Sequence, residues 1–509
     1  MSIKLYLPEK GLCAFVVNFC KNFTSGSFFY ILHFSNFKGE TVPQPGIETL
    51  FSNQREYFNT NLRGAPVSAR IKKLKKLRRW ILDHRTEIIA ALQADFGKPA
   101  VEVELSETKV VLKEIDFALN HIRSWSQTRR VPTPLVLFGA RSSIRVEPRG
   151  VVLIIAPWNF PFNLTIGPLV SALAAGNAVM LKPSEFTPHA TELMSGMIAE
   201  LFPPREVALV TGDGELAARL TRLPFDHIFF TGSPRVGKMV MRAAAENLTS
   251  VTLELGGQNP VIVDESALIP QTARRILYGK MLNAGQSCVA ANYLFVHRSV
   301  AGALKEELKR QLSAVLSASD NTDRPMARLV DSRHMERVEG LLDDSLNSGA
   351  EALNDFERDR QQALLSPVLL WDVPAEAQIM KQEIFGPVLP VMVYDELDAL
   401  IEYLRRKPRP LALYIFSRRR KNINRIINGL SSGAVGINET TAHFFNPHLP
   451  FGGAGYSGIG QTHGYYGFMT FSHSRAVFKQ PARFAGIDLV RPPYTRFVKK
   501  ITDFIVRYL

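Results

Sequence analysis

The chain has 509 residues, of which 46% are hydrophobic and 21% are charged, a composition typical of a soluble globular protein with large cores. This composition excludes the disordered and fibrous classes of protein. The three cysteines form no C-x-x-C pair and the histidines do not cluster, so we expect no disulfide framework, no metal and a reducing, cytoplasmic location.

The N-terminal segment differs from the rest of the chain. Its apolar run, residues 11–19, is followed by aromatic-rich sequence without helix-capping signals. The run is too short to span a bilayer, and no small-x-small cleavage site follows it. We therefore expect residues 1–52 to be a poorly ordered N-terminal extension.

Helical periodicity dominates from Phe58 to Leu119, and a strongly basic cluster lies within it at residues 71–80. Apolar side chains recur there at helical spacing, so the basic residues form the solvated face of an amphipathic helix. A nucleic-acid surface would need a recognition motif or stacking aromatic side chains, and the sequence has neither. The net charge of +14 therefore does not indicate a nucleic-acid partner, although it favours an anionic dinucleotide.

Beyond Gly150 the pattern changes to short apolar runs separated by helical segments. The runs Val151–Ile155, Ala178–Leu181 and Val207–Val210 are continuous rather than alternating, which is typical of strands buried on both faces. Strands that alternate with helices of this length predict a parallel sheet. The region therefore predicts an α/β nucleotide-binding architecture.

Two glycine-rich loops are candidates for holding a phosphate. Residues 212–217 imitate the G-x-G-x-x-A fingerprint, but a single match is weak and Asp213 would repel a pyrophosphate. The second loop, Phe230–Gly237, follows a strand and starts a helix, where free backbone N–H groups suit an anion. We favour the second loop, with Gly232, Ser233 and Gly237 as cofactor-binding residues; a simple turn is the alternative.

Cys288 follows a run of small residues, and Glu254 lies in a similar small-residue turn. A thiolate attacks carbonyl carbon well when it lies in a partly exposed, electropositive setting, and Gly285, Ser287 and Ala290 fit such a setting. The two residues suggest a nucleophile and a base. Without the neighbouring motifs, Cys288 would read as a buried free cysteine that acts as a small hydrophobic residue.

Seven motifs in the same order give the chain a resemblance to the aldehyde dehydrogenases, from about residue 65 to about residue 497. The motifs are Pro157–Pro161 (PWNFP), Lys182–Glu185 (KPSE), Phe230–Ser233 (FTGS), Glu254–Gly257 (ELGG), Gly285–Cys288 (GQSC), Glu383–Pro387 (EIFGP) and Pro450–Gly453 (PFGG). The segments Leu449–Gly458, His463–Phe468 and Arg491–Thr495 resemble the class 3 branch, which includes fatty and coniferyl aldehyde dehydrogenases.

The resemblance implies catalytic roles. Cys288 attacks the aldehyde, and the amide of Asn159 with the backbone N–H of Cys288 holds the resulting oxyanion. Hydride then leaves for a nicotinamide, and Glu254 activates the water that hydrolyses the thioester. One departure is Gln258, where the family usually has lysine.

The resemblance also implies cofactor contacts. Lys182 and Glu185 resemble the pair that binds the adenine-side ribose, Glu383 resembles the residue that binds the nicotinamide ribose, and Phe385 and Trp158 would lie beside the cofactor. A carboxylate near the ribose 2′ position favours NAD, while Lys182 could pair with the extra phosphate of NADP. The structural alternatives are a surface Lys–Glu pair and a core phenylalanine.

The substrate itself is less specified. Loops with Trp158, Phe160, Phe162 and residues 443–445 would form the pocket, and their aromatic character favours an apolar aliphatic or aromatic aldehyde. Two other functions stay open: a dehydrogenase that passes the acyl group to CoA, and a non-catalytic protein that only binds the cofactor. The presence of Glu254 argues against the first.

The same resemblance predicts the fold, an aldehyde dehydrogenase-like α/β structure with a Rossmann-type cofactor domain, an α/β catalytic domain and a β oligomerisation arm. The NAD(P)-binding domain would comprise residues 53–130 and 150–254, and the catalytic domain residues 255–450. Residues 131–149 with 470–478 would form the arm of a homodimer. In the C-terminal tail, residues 479–509, apolar side chains recur at helical spacing, and we expect them to pack on protein rather than on an anionic membrane surface.

Overall fold

The computed structural model describes residues 46–317, 326–483 and 485–508. Most of the predicted N-terminal extension, and with it Cys13 and Cys20, lies outside these ranges. Its boundary at residue 52 is wrong, because helix α1 begins at Ile47. Leu50 and Phe51 are buried there, and Phe51 packs edge-on against Phe225 at 4.9 Å between ring centroids.

Helices account for the periodic segments. The α-helices are α1 (Ile47–Tyr57), α2 (Val67–Asp83), α3 (Arg85–Phe96), α4 (Ala100–Val103), α5 (Lys109–Trp125), α6 (Pro161–Ala175), α7 (Pro188–Leu201), α8 (Gly214–Leu220), α9 (Pro234–Ala245), α10 (Ile269–Met281), α11 (Arg298–Ser317), α12 (Ser332–Asn347), α13 (Leu397–Arg405), α14 (Arg420–Gly429), α15 (Gly464–Thr470) and α16 (Arg496–Tyr508). The π-helical turns are Phe58–Leu62 and Glu104–Thr108, and the 3-10 turns are Leu135–Leu137, Leu282–Gly285, Gln378–Met380, Ala442–Phe445 and Gly486–Val490.

Strands account for the short apolar runs. They are β1 (Arg129–Val131), β2 (Arg141–Pro148), β3 (Val151–Ile155), β4 (Ala178–Lys182), β5 (Val207–Leu209), β6 (His227–Gly232), β7 (Ser250–Leu255), β8 (Pro260–Val263), β9 (Tyr293–His297), β10 (Glu351–Ala352), β11 (Arg358–Asp359), β12 (Leu364–Leu365), β13 (Val368–Trp371), β14 (Val388–Tyr394), β15 (Ala412–Phe416), β16 (Ala434–Ile437), β17 (Gly458–Ile459) and β18 (Ser472–Lys479).

The first large sheet has the strand order β17-β7-β6-β3-β4-β5. Its strands are parallel except β17, which pairs antiparallel with β7. The chain moves outward from β3 in one direction through β4 and β5, then returns to add β6 and β7 on the other side. In such a sheet the ligand crevice lies at the carboxyl ends of the two strands where the direction reverses, here β3 and β6.

The second large sheet has the order β10-β13-β14-β9-β8-β15-β16 and is parallel apart from β10. Cys288 precedes β9, a central strand of this sheet, while Glu254 lies near the end of β7 in the first. The predicted nucleophile and base therefore come from different sheets. The predicted α/β fold with a Rossmann-type sheet is confirmed.

A small antiparallel sheet joins β1, β2 and β18. Its pairing of β2 with β18 brings together the two segments expected to form the arm. The strand β2 starts only at Arg141, however, because Pro132 and Pro134 interrupt the segment before it and a 3-10 turn follows. All side chains of β18 after Ser472 are exposed.

The C-terminal helix α16 carries the predicted apolar stripe, apart from Leu509, which lies outside the described residues. Phe497 and Phe504 are 64% and 57% exposed, whereas Val498 is buried. The stripe is therefore largely uncovered by the described part of its own chain. Along those residues, no helix combines the length and apolar character needed to cross a membrane.

Candidate active site

Cys288 is reached through an unusual turn after α10. Asn283 and Ala284 have φ angles of 52° and 54°, in the left-handed region that residues other than glycine rarely adopt. Gly285 has a φ of 69°, and a Cβ atom there would lie 2.3 Å from the carbonyl oxygen of Gly386. The turn is fixed on its far side because the Asn259 amide donates to the Cys288 carbonyl at 2.7 Å.

The electrostatic setting of the Cys288 thiol differs from the one predicted. Burial, together with the nearby carboxylates of Glu383 and Glu254, raises the pKa of the thiol to about 12. The expected electropositive surroundings are therefore wrong for the protein without a ligand, where the sulfur is protonated at neutral pH. The reason is that two carboxylates from distant parts of the chain converge on a buried sulfur.

Glu254 is a buried acid near the carboxyl end of β7. Neither carboxylate oxygen has a hydrogen-bond partner among the described residues, and burial raises its pKa well above the ordinary value. Glu254 and Cys288 line the same small cavity of about 30 Å³. That space exceeds the roughly 10–15 Å³ that a water molecule requires. A water could therefore lie between the acid and the thiol.

Asn159 lies in the loop after β3 and is almost fully buried. Its side-chain amide donates to the carbonyl of Gln286 at 3.0 Å, which links the loop directly to the turn before Cys288. An amide nitrogen carries two hydrogens, and this bond uses one of them.

A second, larger cleft of about 660 Å³ opens at the carboxyl ends of β3 and β6. Of the predicted cofactor residues, Trp158, Lys182, Glu185, Gly232 and Ser233 line it. Lys182 is buried and donates to Glu185 at 2.8 Å, with the carboxylate half exposed toward the cleft. A buried lysine paired with an accessible carboxylate fits the hydroxyls of a ribose, so these residues fit a dinucleotide.

The two glycine loops differ in their free donors. The Asp213 carboxylate accepts from the backbone N–H groups of Glu215 and Leu216, so the start of α8 is already capped. At the start of α9, Ser233 accepts weakly from Val236 at 3.4 Å. The start of α9 therefore has fewer backbone N–H groups occupied by a capping side chain than the start of α8.

Gly237 does not line the cleft. A Cβ atom at this position would lie 2.8 Å from a methyl carbon of Leu255, so the glycine permits close packing of α9 on β7. The motif predicted that Gly237 contacts the cofactor, because a motif alone does not distinguish a packing glycine from a phosphate-binding glycine.

Glu383 and Phe385 approach the site from the loop before β14. The Glu383 carboxylate accepts from the backbone N–H of Gly257 at 3.3 Å, and burial raises its pKa to about 7. A Cβ atom on Gly256 would clash with this carboxylate at 2.1 Å, which explains the glycine. Phe385 packs edge-on against Trp158 with ring centroids 5.3 Å apart.

A lysine from a distant part of the chain, Lys407, lies close to Gln258. The Gln258 amide donates to the carbonyl of Met380 at 3.4 Å, and the Lys407 amine donates to the same carbonyl at 3.0 Å. Gln258 therefore stands where the resemblance predicts a lysine, and a different lysine, Lys407, 149 positions later in the sequence, binds the same carbonyl as Gln258.

Apolar side chains surround the other side of Cys288. A cavity of about 30 Å³ beside the sulfur is lined by Phe160, Phe444 and Phe445, as predicted. Trp158 lies instead in the larger cleft, and Phe162 is fully buried in the core among helices α5 and α6. Leu164 lines the cavity in place of Phe162, since it lies on the face of α6 that turns toward Cys288.

Two titratable residues in the cavity shared by Glu254 and Cys288 are absent from the predicted site residues. Glu114 accepts from the backbone N–H of Gly464 at 3.0 Å, and burial raises its pKa to about 7. His463 is enclosed beside it, and burial lowers its pKa to about 3. Since Glu114 and His463 are far apart in sequence, no spacing could associate them.

Comparisons with known proteins agree with this geometry. The profile of the Aldehyde dehydrogenase family matches residues 44–477. The 4,4'-diaponeurosporen-aldehyde dehydrogenase of Staphylococcus aureus is 41% identical over 90% of this chain and 99% of its own. A rat relative, "Aldehyde dehydrogenase, dimeric NADP-preferring", is 38% identical over 83% of this chain and 92% of its own. The structure of the substrate-bound state of Staphylococcus aureus AldH superposes with a TM-score of 0.87, at 40% identity, and covers 91% of this chain and all of that one.

Proposed function

Because the chain belongs to the aldehyde dehydrogenase family and so oxidises an aldehyde to a carboxylic acid with NAD(P)⁺, we propose that this oxidation proceeds through a covalent bond to Cys288. One observation carries the proposal. The Cys288 thiol and the unpartnered Glu254 carboxylate line the same buried cavity, although they come from different sheets.

The first step is addition of the sulfur to the carbonyl carbon. The thiol has a raised pKa, so it reacts only after losing its proton, which passes to water in the cavity that Cys288 shares with Glu254. The new C–S bond turns the carbonyl into an oxyanion, which the Asn159 amide and the Cys288 backbone N–H stabilise. Such a donor typically contributes about 100-fold to 1000-fold in turnover.

When bound, the nicotinamide accepts the hydride that the collapsing oxyanion expels, which leaves a thioester on Cys288. Glu254 then removes a proton from water, the hydroxyl oxygen adds to the thioester carbon, and the C–S bond breaks. The acid so formed passes its proton to the departing thiolate, which releases the carboxylate and restores the thiol. A placed general base contributes roughly 100-fold to 10,000-fold. Lys182, Glu185, Ser233 and Glu383 are the residues that would hold the cofactor, with NAD favoured and NADP accepted through Lys182.

The substrate is an apolar aliphatic or aromatic aldehyde. Apolar side chains line the two small cavities beside the sulfur: Phe160, Phe444, Phe445, Leu164 and Leu282. These side chains offer little compensation for a desolvated polar group, which costs about 1–3 kcal/mol or more when it is left without a hydrogen bond. Small polar aldehydes are therefore disfavoured.

The test is an absorbance screen of the purified protein with NAD⁺ or NADP⁺ against aliphatic and aromatic aldehydes. Wild-type protein should produce NADH or NADPH and a carboxylate, while Cys288→Ala should produce neither. Reduction of the cofactor at the wild-type rate by Cys288→Ala would refute the assignment. Formation of an acyl-CoA when CoA is supplied would instead support the CoA-acylating alternative.

The arm and the tail support a homodimer. The exposed strand β18 leaves backbone and side chains available to a partner, and the apolar stripe of α16 is largely uncovered by its own chain. Pairing of the arms between two subunits, with α16 packed on the partner, would cover both. The free thiol of Cys288 requires a reducing compartment, which supports a cytoplasmic location.

A further inference from the structure

The loop with Asn159 and the turn with Cys288 are connected by a closed set of hydrogen bonds. The Asn283 amide donates to the carbonyls of Asn159 and Gln286, at 2.8 and 3.1 Å. The Asn159 amide donates to the same Gln286 carbonyl. The relative position of the oxyanion donor and the nucleophile therefore depends on where the backbone of residue 283 is held.

One carboxylate outside the active site holds that backbone. Glu102, on α4, accepts from the backbone N–H of Asn283 at 2.9 Å. Asn283 has a left-handed backbone, a strained conformation for a residue other than glycine that persists only where the surroundings fix it. The bond from Glu102 is one such restraint, because it uses the N–H of the strained residue itself.

A second carboxylate, that of Glu107, lies one π-helical turn further along the chain and binds the segment that follows Asn159. Glu107 accepts from the backbone N–H of Asn163 at 2.8 Å, four residues after Asn159. Its other oxygen forms a fully buried ion pair with Lys98 at 2.7 Å. The Lys98 ammonium also lies 3.9 Å from the centre of the Phe160 ring, directly after Asn159. Such a buried pair is a costly arrangement that stability alone does not require.

We propose that Glu102 and Glu107, with Lys98, are positioning residues that set the distance between the Asn159 amide and the Cys288 sulfur. None of the three lines the larger cleft or the two cavities beside Cys288. Both carboxylates project from the single segment 100–108, so one rigid element fixes the loop after β3 and the turn before β9 together. The inference rests on the proposed roles of Cys288 and Asn159.

The test compares three variants. Glu102→Leu removes the acceptor for Asn283, and Lys98→Met/Glu107→Leu replaces the ion pair by apolar groups, which often leaves stability unchanged. A displacement of 1 Å in such sites can cost about 100-fold in rate. We therefore expect kcat to fall by about 100-fold in both variants with the KM for NAD⁺ unchanged. Glu102→Gln, which keeps an oxygen acceptor, should restore most of the loss.

A second readout does not require turnover. Iodoacetamide labelling of Cys288 in the cofactor-free protein, corrected with a Cys288→Ala background, should become severalfold faster in Glu102→Leu because the turn is released. Glu206→Leu is the matched control, since Glu206 is a buried acid paired with Lys73 away from the site, and it should affect the melting temperature only. Absence of wild-type turnover would refute the proposed function but leave the labelling result valid. Wild-type kcat and labelling in Glu102→Leu and in the double variant would overturn the positioning role.

Discussion

The protonation state of Cys288 gives the sharpest prediction. Burial and the carboxylates of Glu383 and Glu254 raise the pKa of the thiol to about 12, compared with about 8.5 for a cysteine in a peptide. When the pH is well below both pKa values, the fraction of thiolate falls tenfold for each unit by which the pKa is raised. At pH 7 the cofactor-free protein should therefore contain about three orders of magnitude less thiolate at this position than a free cysteine would.

The assay is the rate of alkylation by iodoacetamide as a function of pH, followed by mass spectrometry of the peptide that contains Cys288. Because the thiolate is the reactive species, the rate should rise tenfold per pH unit from pH 7 to pH 10 without a plateau. The Glu383 carboxyl has a pKa of about 7 and is therefore ionised at pH 8, so Glu383→Gln removes a nearby negative charge, which should lower the pKa of the thiol and speed labelling at pH 8. A plateau with a midpoint near the peptide value of about 8.5 in the wild-type protein would refute this account of the site.

Three further predictions follow from the same geometry. Glu254→Gln should release about one equivalent of NADH in a burst and then slow by roughly 100-fold to 10,000-fold, because the thioester forms but is not hydrolysed; a linear time course without a burst would contradict this order of steps. Gly237→Ala should destabilise the protein by about 1–3 kcal/mol in urea unfolding because its Cβ would press on Leu255. The matched control is Gly214→Ala, where the added methyl meets open space, and equal stability of the two variants would disprove the packing role. Deletion of residues 497–509 should raise the dissociation constant of the dimer in analytical ultracentrifugation and leave co-sedimentation with anionic liposomes unchanged; loss of liposome binding would show that α16 contacts a membrane instead.

The sequence determined the fold and proposed the reacting residues, because both depend on local patterns. A short continuous apolar run is typical of a strand that is buried on both faces, and the predicted run Val151–Ile155 coincides with β3. The loop Phe230–Gly237 had to follow a strand and start a helix, as it does. The sequence also proposed Cys288, Glu254 and Asn159 as the reacting residues, since each lies within a short motif.

Only the tertiary structure decided the environment of those residues. The sequence predicted an electropositive setting for the thiol, but burial and the approach of Glu383, 95 positions later, raise the pKa of the thiol instead of lowering it. The same holds for the buried pair Lys98 and Glu107, whose contact with the Asn159 loop follows from how α6 packs against the segment 100–108. The burial and the local charge of a site depend on all of its neighbours, and the strand order brings those neighbours together from remote parts of the chain. A motif names the group that reacts, and the packing of remote segments sets its pKa and its position.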